Sequence, residues 1–139
     1  MSESPHFKIG DTASLTKTFT QQDVDSFAEL SMDKNPLHVD EEAASKSIFG
    51  KRVIHGILQT GLISAVLGNQ LPGPGSIYRE QQLVFKKPAF PGDTLTAKVE
   101  VIEINERIGI IICRTTVKNQ NGDLLINGKA KGIIDKIKN

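Results

Sequence analysis

GILQTGLISAVLGNQ (56–70) runs directly into LPGPG (71–75), and the fold turns on that boundary. Ile57, Leu58, Leu62, Ile63, Ala65, Val66 and Leu67 populate nearly every side of a helical wheel, which predicts a helix buried over most of its circumference. Gly61 and Gly68 each weaken that helix by up to about 1 kcal/mol relative to Ala, so tertiary packing must hold it. The Pro/Gly run stops it, and everything beyond reads as sheet.

Working outward, a first strand candidate at 76–86 is followed by three long ones at 94–104, 107–118 and 123–136, with Pro88, Pro91, Gly92 and Asn121-Gly122 as turn punctuation. Upstream, TASLTKTF (12–19) alternates loosely, as an edge strand does. Thr20 and Asp23 then form a capping-box pattern at the start of a short helix with Val24, Phe27, Ala28 and Leu30 on its apolar face. That helix should stop near Ser31, because Pro36 biases Asn35 away from helical geometry. A loop from Met32 to Val39 follows, and Asp40 caps a second short helix, EEAASKS (41–47), ending by Gly50. A buried helix before a run of long antiparallel strands places the chain in the α+β class. The order suggests a curved antiparallel sheet wrapped around a central helix.

The 139 residues suit a single domain, 1–139, able to bury roughly two-thirds of its unfolded surface. Seventeen Lys+Arg against sixteen Asp+Glu leave a formal charge of +1, so nothing marks the molecule for nucleic acid or an anionic membrane. No apolar run approaches the ~18 residues of a membrane span, and the N-terminus lacks the pattern of a signal or transit peptide. Cys113 is the only cysteine, which excludes an intrachain disulfide and suits a reducing compartment, with the cytoplasm as the expectation.

Asp33, Asn35, Pro36 and His38 fall within six positions, in SMDKNPLH (31–38). Pro36 excludes a continuous helix, and a tight loop can bring the carboxylate and the imidazole together. The imidazole of His38 can take a proton from water, while a neighbouring carboxylic group can hold that water. The competing reading is a turn in which Asp33 and Asn35 bond backbone amides and His38 is a surface ring. Gly56 opens the long helix, whose first amides can receive a developing oxyanion and whose lack of a Cβ permits close approach; a glycine simply starting a crowded helix is the alternative. Ser64 either bonds the preceding turn, as most mid-helix serines do, or reaches into a site. The His55 ring either faces the site or caps a loop, and a structural role is expected.

The stretch from Phe27 to Ala43, with Asp33, Asn35-Pro36 and His38, resembles the signature of the MaoC-like hydratase 2 family. IHGILQTGLIS (54–64), LPGPGS (71–76) and LVFKKPAFPGD (83–93) occur in that family in the same order and spacing. Met32 stands where the signature usually has Gly. The resemblance implies an (R)-specific 2-enoyl-CoA hydratase of the hot-dog fold, a hydro-lyase adding water across a trans-2-enoyl thioester. Asp33 and His38 match the pair that activates water, Gly56 the amide that receives the thioester oxygen, Ser64 a serine near the pair, and Asn35 a support of the loop. It implies an acyl-CoA substrate, a homodimer, and no metal or redox cofactor; the chain also has no Cys pair, His-x-x-x-His spacing or Gly-rich nucleotide loop. Polyhydroxyalkanoate monomer supply and fatty acid metabolism both fit. Lys51, Arg52, Arg79, Lys86 and Lys87 are candidates by position for the CoA phosphates. The rival readings are a hot-dog acyl-CoA thioesterase, an acyl-carrier-protein dehydratase and a non-catalytic acyl-CoA-binding module.

Overall fold

The chain order observed in the computed structural model, which describes residues 7–134, is one strand, four helices and four strands. Strand β1 (Thr12–Thr18) leads into α1 (Gln21–Ser31), α2 (Pro36–Val39), α3 (Glu41–Ser45) and α4 (Gly56–Asn69), and β2 (Ile77–Phe85), β3 (Thr94–Asn105), β4 (Ile110–Lys118) and β5 (Leu124–Ile133) complete the chain. The strands form one antiparallel sheet in the order β1-β3-β4-β5-β2, so β1 is an edge strand, as its sequence predicts, and β2 is the other edge.

Local chemistry explains the boundaries. Thr20 accepts from the Asp23 amide and Asp23 answers to the Thr20 amide, the predicted capping box. Asp40 caps α3 through the Ala43 amide. The loop expected between Met32 and Val39 contains one helical turn: Pro36 sits at its first position, where no amide is needed, and the Asn35 side chain accepts from Leu37 N at 3.0 Å. The strand expected from 107 starts instead at Ile110, because residues 106–109 form the β3–β4 turn. Positions 135 and 136, expected to end β5, lie outside the described residues.

Alternation along the central strands builds the core. Leu95, Ala97, Val99 and Val101 of β3 and Ile111, Cys113, Thr115 and Val117 of β4 face inward, in the register Val101↔Cys113, Val99↔Thr115, Ala97↔Val117. Helix α4 lies on this surface, touching β1, β2, β3 and β4, and buries Ile63, Val66 and Leu67 there. The wheel predicted burial on most sides of α4; instead Ile57, Gly61, Ser64 and Gly68 are exposed. A single concave sheet covers only the helix stripe that faces it, so the remaining apolar circumference of α4 stays uncovered within one chain.

Candidate active site

Asp33, Asn35 and His38 sit between α1 and α3, and a short strap, Val53–His55, holds this loop in place. Val53 N donates to Leu37 O at 3.1 Å, and Ile54 N donates to Ala89 O at 2.8 Å. His38 Nδ1 lies 2.8 Å from Val53 O, and His55 Nε2 lies 3.0 Å from the backbone oxygen of Asp33. A carbonyl can only accept, so Nδ1 of His38 carries a proton in this contact, and in the neutral ring its Nε2 then holds the lone pair. The same logic puts the proton of His55 on Nε2.

Asp33 is exposed and His38 half-buried. A carboxylate oxygen of Asp33 and ring nitrogens of His38 and His55 lie within 4.8 Å of one another. Two hydrogen bonds of roughly 2.8 Å each span that gap, so one water can bridge carboxylate and imidazole. The loop is braced locally: Ser31 Oγ accepts from Asp33 N at 3.1 Å, and Asp33 Oδ1 accepts from Asn35 N at 3.4 Å. Met32, just before the pair, has φ 69°, and is the only non-glycine residue with positive φ among those described. The departure from Gly at this position thus falls where the backbone is left-handed, and its side chain projects into solvent, 83% exposed.

His38 and His55 stack with centroids 3.8 Å apart and planes at 25°, and Phe27 meets His55 edge-on at 4.8 Å. Burial holds the His55 imidazole below its ordinary pKa; the Asp33 carbonyl opposes this and the adjacent His38 adds to it. The three side chains are a poor metal set despite their proximity. Lone pairs lie in the ring planes, and two stacked imidazoles hold theirs in separate planes only 25° apart, whereas a tetrahedral ion needs them to converge on one point at about 2.0–2.1 Å.

The pair opens onto a cavity of about 410 Å³ whose walls include Leu37, Phe49, Gly56, Ile57, Phe85 and Lys86. Gly56 is the first residue of α4, and no side chain caps that helix end. Its leading amides therefore have no intrahelical acceptor, and the Gly56 end faces the cavity with its partial positive charge. A Cβ on Gly56 would lie 2.5 Å from Phe85 Cε1, so the glycine is what lets this wall close over the helix end.

The structure thus brings Asp33, His38 and Gly56 to one cavity, with Asn35 bracing the loop from outside the lining. Ser64 is not among them: it is exposed and lines a separate cavity of about 60 Å³ with Tyr78, Cys113 and Gly132. Of the cationic candidates, Lys86 and Lys87 line the larger cavity. Lys51 sits over the Phe90 ring at 4.2 Å and Arg52 pairs with Glu41 at 3.4 Å. Sequence reasoning did not find Gln59, a cavity residue only 3% exposed whose Oε1 has no partner; a polar residue among the apolar positions of α4 was the available signal.

The MaoC like domain family model matches residues 7–122, and the chain belongs to that family. It is 47% identical over 123 residues to the (R)-specific enoyl-CoA hydratase of Rhodospirillum rubrum, covering 88% of this chain and 85% of the relative. The (R)-specific enoyl-CoA hydratase of Aeromonas caviae is 44% identical over 123 residues, 88% of this chain and 92% of that one. The solved structure of the A. caviae (R)-hydratase involved in PHA biosynthesis superposes with a TM-score of 0.89 at 42% identity, covering 92% of this chain and 97% of that one. The fold is the hot-dog fold.

Proposed function

We propose that this chain is an (R)-specific 2-enoyl-CoA hydratase, a hydro-lyase interconverting trans-2-enoyl-CoA and (R)-3-hydroxyacyl-CoA. The observation that carries the reading is the convergence of Asp33, His38 and the Gly56 end of α4 on one cavity. In the reaction, the thioester carbonyl accepts from the Gly56 amide, which polarises the conjugated double bond and makes C3 electrophilic. A water lies between Asp33 and the bare Nε2 of His38. His38 takes its proton, the water oxygen bonds to C3, and one proton returns to C2, so the net change is addition of H₂O across the double bond. Because the water is held on one face of the substrate, one enantiomer forms.

The same proposal places the protein in the cytoplasm, makes residues 1–139 one domain, and pairs two copies as a homodimer. Edge strand β2 carries exposed Ile77, Tyr78, Val84 and Phe85 beside exposed Ile57 of α4, an apolar surface that a second copy would cover. Ser64, on the uncovered side of α4, is proposed to serve the site of that second copy. Light scattering at micromolar concentration should return twice the chain mass.

The test of the activity is loss of enoyl-thioester absorbance from crotonyl-CoA without release of free thiol, with chiral analysis of the product. The (R) product is expected from wild type. Asp33→Asn and His38→Gln should each lower kcat by about 10² to 10⁴, the usual loss for a general acid or base, with little change in affinity. The (S) product, thiol release, or variants that keep more than about a third of kcat would overturn the reading.

A further inference from the structure

His55 is almost completely buried, 2% exposed, yet it makes no side-chain cap for the helix it precedes. Two of its three contacts are to the site, Asp33 and His38, and the third is to Phe27 of α1. Nε2 holds the Asp33 carbonyl at 3.0 Å, one ring face stacks on His38 at 3.8 Å, and Phe27 meets the ring edge-on. Nδ1 is buried without a partner. A protonated Nδ1 there would leave a donor, and a charge, buried and unpaired, so the ring is neutral with its single proton on Nε2. A neutral ring is what the base can tolerate against its face, because His38 becomes an imidazolium while it holds water's proton.

We propose that His55 is a positioning residue for the hydration: its Nε2–H anchors the Asp33 backbone while its ring forms the surface on which the His38 imidazole lies. One side chain thereby sets the distance between carboxylate and base. Val53 O fixes the His38 ring at Nδ1 only, which leaves rotation about that contact; the stacked face of His55 removes it. The inference rests on the reading of Asp33 and His38 as the water-activating pair, and the experiment separates the two failures.

His55→Phe keeps a stacked aromatic ring and removes the donor; His55→Gln keeps an amide donor near the place of Nε2 and removes the ring. In the purified full-length protein, with crotonyl-CoA, each should lower kcat by about 10- to 100-fold, the scale of a misplacement near 1 Å, with KM changed less than about threefold. His55→Gln, which removes the ring that lies against the base, combined with His38→Gln should be no slower than His38→Gln alone, since a ring that acts through the base has no effect once the base is gone. A purely structural histidine would instead lower the melting temperature and leave the kcat of folded protein unchanged. Folded variants within threefold of wild-type kcat, or an additive loss in the double variant, would overturn the proposal. Nitrogen NMR of wild type serves if neither variant folds: a bare Nδ1 on His55 across neutral pH is expected, and a protonated Nδ1 overturns the assignment. If Asp33→Asn and His38→Gln are themselves active, it is the reading of the pair that fails, whatever the His55 tautomer.

Discussion

Gly56→Ala isolates the contact between the helix end and its wall. The added Cβ would stand 2.5 Å from Phe85 Cε1, 2.7 Å from Cδ1 and 3.2 Å from Cζ. Ordinary carbon contacts begin near 3.5 Å, so the ring must retreat by roughly 1 Å. Phe85 can do this, because the three atoms nearest the new methyl all belong to its ring, the far end of a side chain on the last residue of β2. The stability cost should therefore fall at the low end of the overpacking range, about 1 kcal/mol, which in a chain of this size lowers the melting temperature by about 3 to 4 °C. The rate should suffer far more. On the proposed mechanism the methyl would crowd the approach of the thioester oxygen to the Gly56 amide, and losing such a donor costs about 10² to 10³ in kcat. Paired stopped-flow hydration and thermal melts, with Gly56→Ala, Phe85→Leu and the double variant, separate the two effects. The double variant should recover the melting temperature and leave the rate low, since only the steric half of the problem involves Phe85. If Gly56→Ala alone keeps more than about a third of wild-type kcat, the helix end does not receive the substrate oxygen and the geometric argument is wrong.

Met32→Gly should raise stability by about 0.5 to 1 kcal/mol, the relief of left-handed strain less the extra freedom glycine gains in the unfolded chain; a lower denaturation midpoint would contradict it. Because burial holds His55 below its ordinary pKa, the unfolded chain takes up its proton first as pH falls. Stability from this group is thus present above about pH 6.5 and lost as pH drops through the lower folded value, and the melting temperature of wild type should fall more steeply than that of His55→Gln over that window. Lys86→Ala should raise KM for crotonyl-CoA and reduce the dependence of KM on salt, if the lysine at the cavity mouth meets CoA phosphate; no change in either would remove it from that role. Cys113, whose thiol is pushed up to about 11 by burial, should resist alkylation in the folded protein at pH 8, and rapid modification would contradict its placement in the core.

Helix starts were legible because their signals are local: Thr20 with Asp23 and Asp40 with Ala43 act within three residues of themselves. The long strands were legible because alternation in β3 and β4 reports a one-sided core. The helical turn at Pro36 was missed because Pro was read as a breaker of the preceding helix, when it also starts the next one. The exposure of α4 escaped for a different reason. A wheel records which side chains are apolar, and cannot tell a face covered by its own sheet from one left for something outside the chain. Ser64 suffered most from this, since its place around the helix decides which cavity it lines. Asp33, His38 and Gly56 were found as a pattern. The contact of His55 was not, because its partner is a backbone carbonyl 22 residues away, and a carbonyl leaves no mark in sequence.

The strap makes this site a mechanical unit. Val53 contributes the carbonyl that fixes the tautomer of His38, His55 contributes the contact to Asp33, and Gly56 begins the helix that faces the cavity, all within four consecutive residues. A displacement of the strap therefore moves base, carboxylate and helix end together and keeps their relation, whereas a rotation about it does not. What resists rotation is Ile54, buried between those residues, with its amide on Ala89 O at 2.8 Å. Ala89 is itself fully buried, in the same core cluster as Leu95 and Val117. Packing errors at Ala89, which does not line the cavity, should accordingly reach it through Ile54, which does, and volume added there is felt because a close-packed core has nowhere to put it. The β2–β3 connection thus bears on the proposed site through the backbone hydrogen bond between Ile54 and Ala89, at a position that no inspection of the polar residues would select.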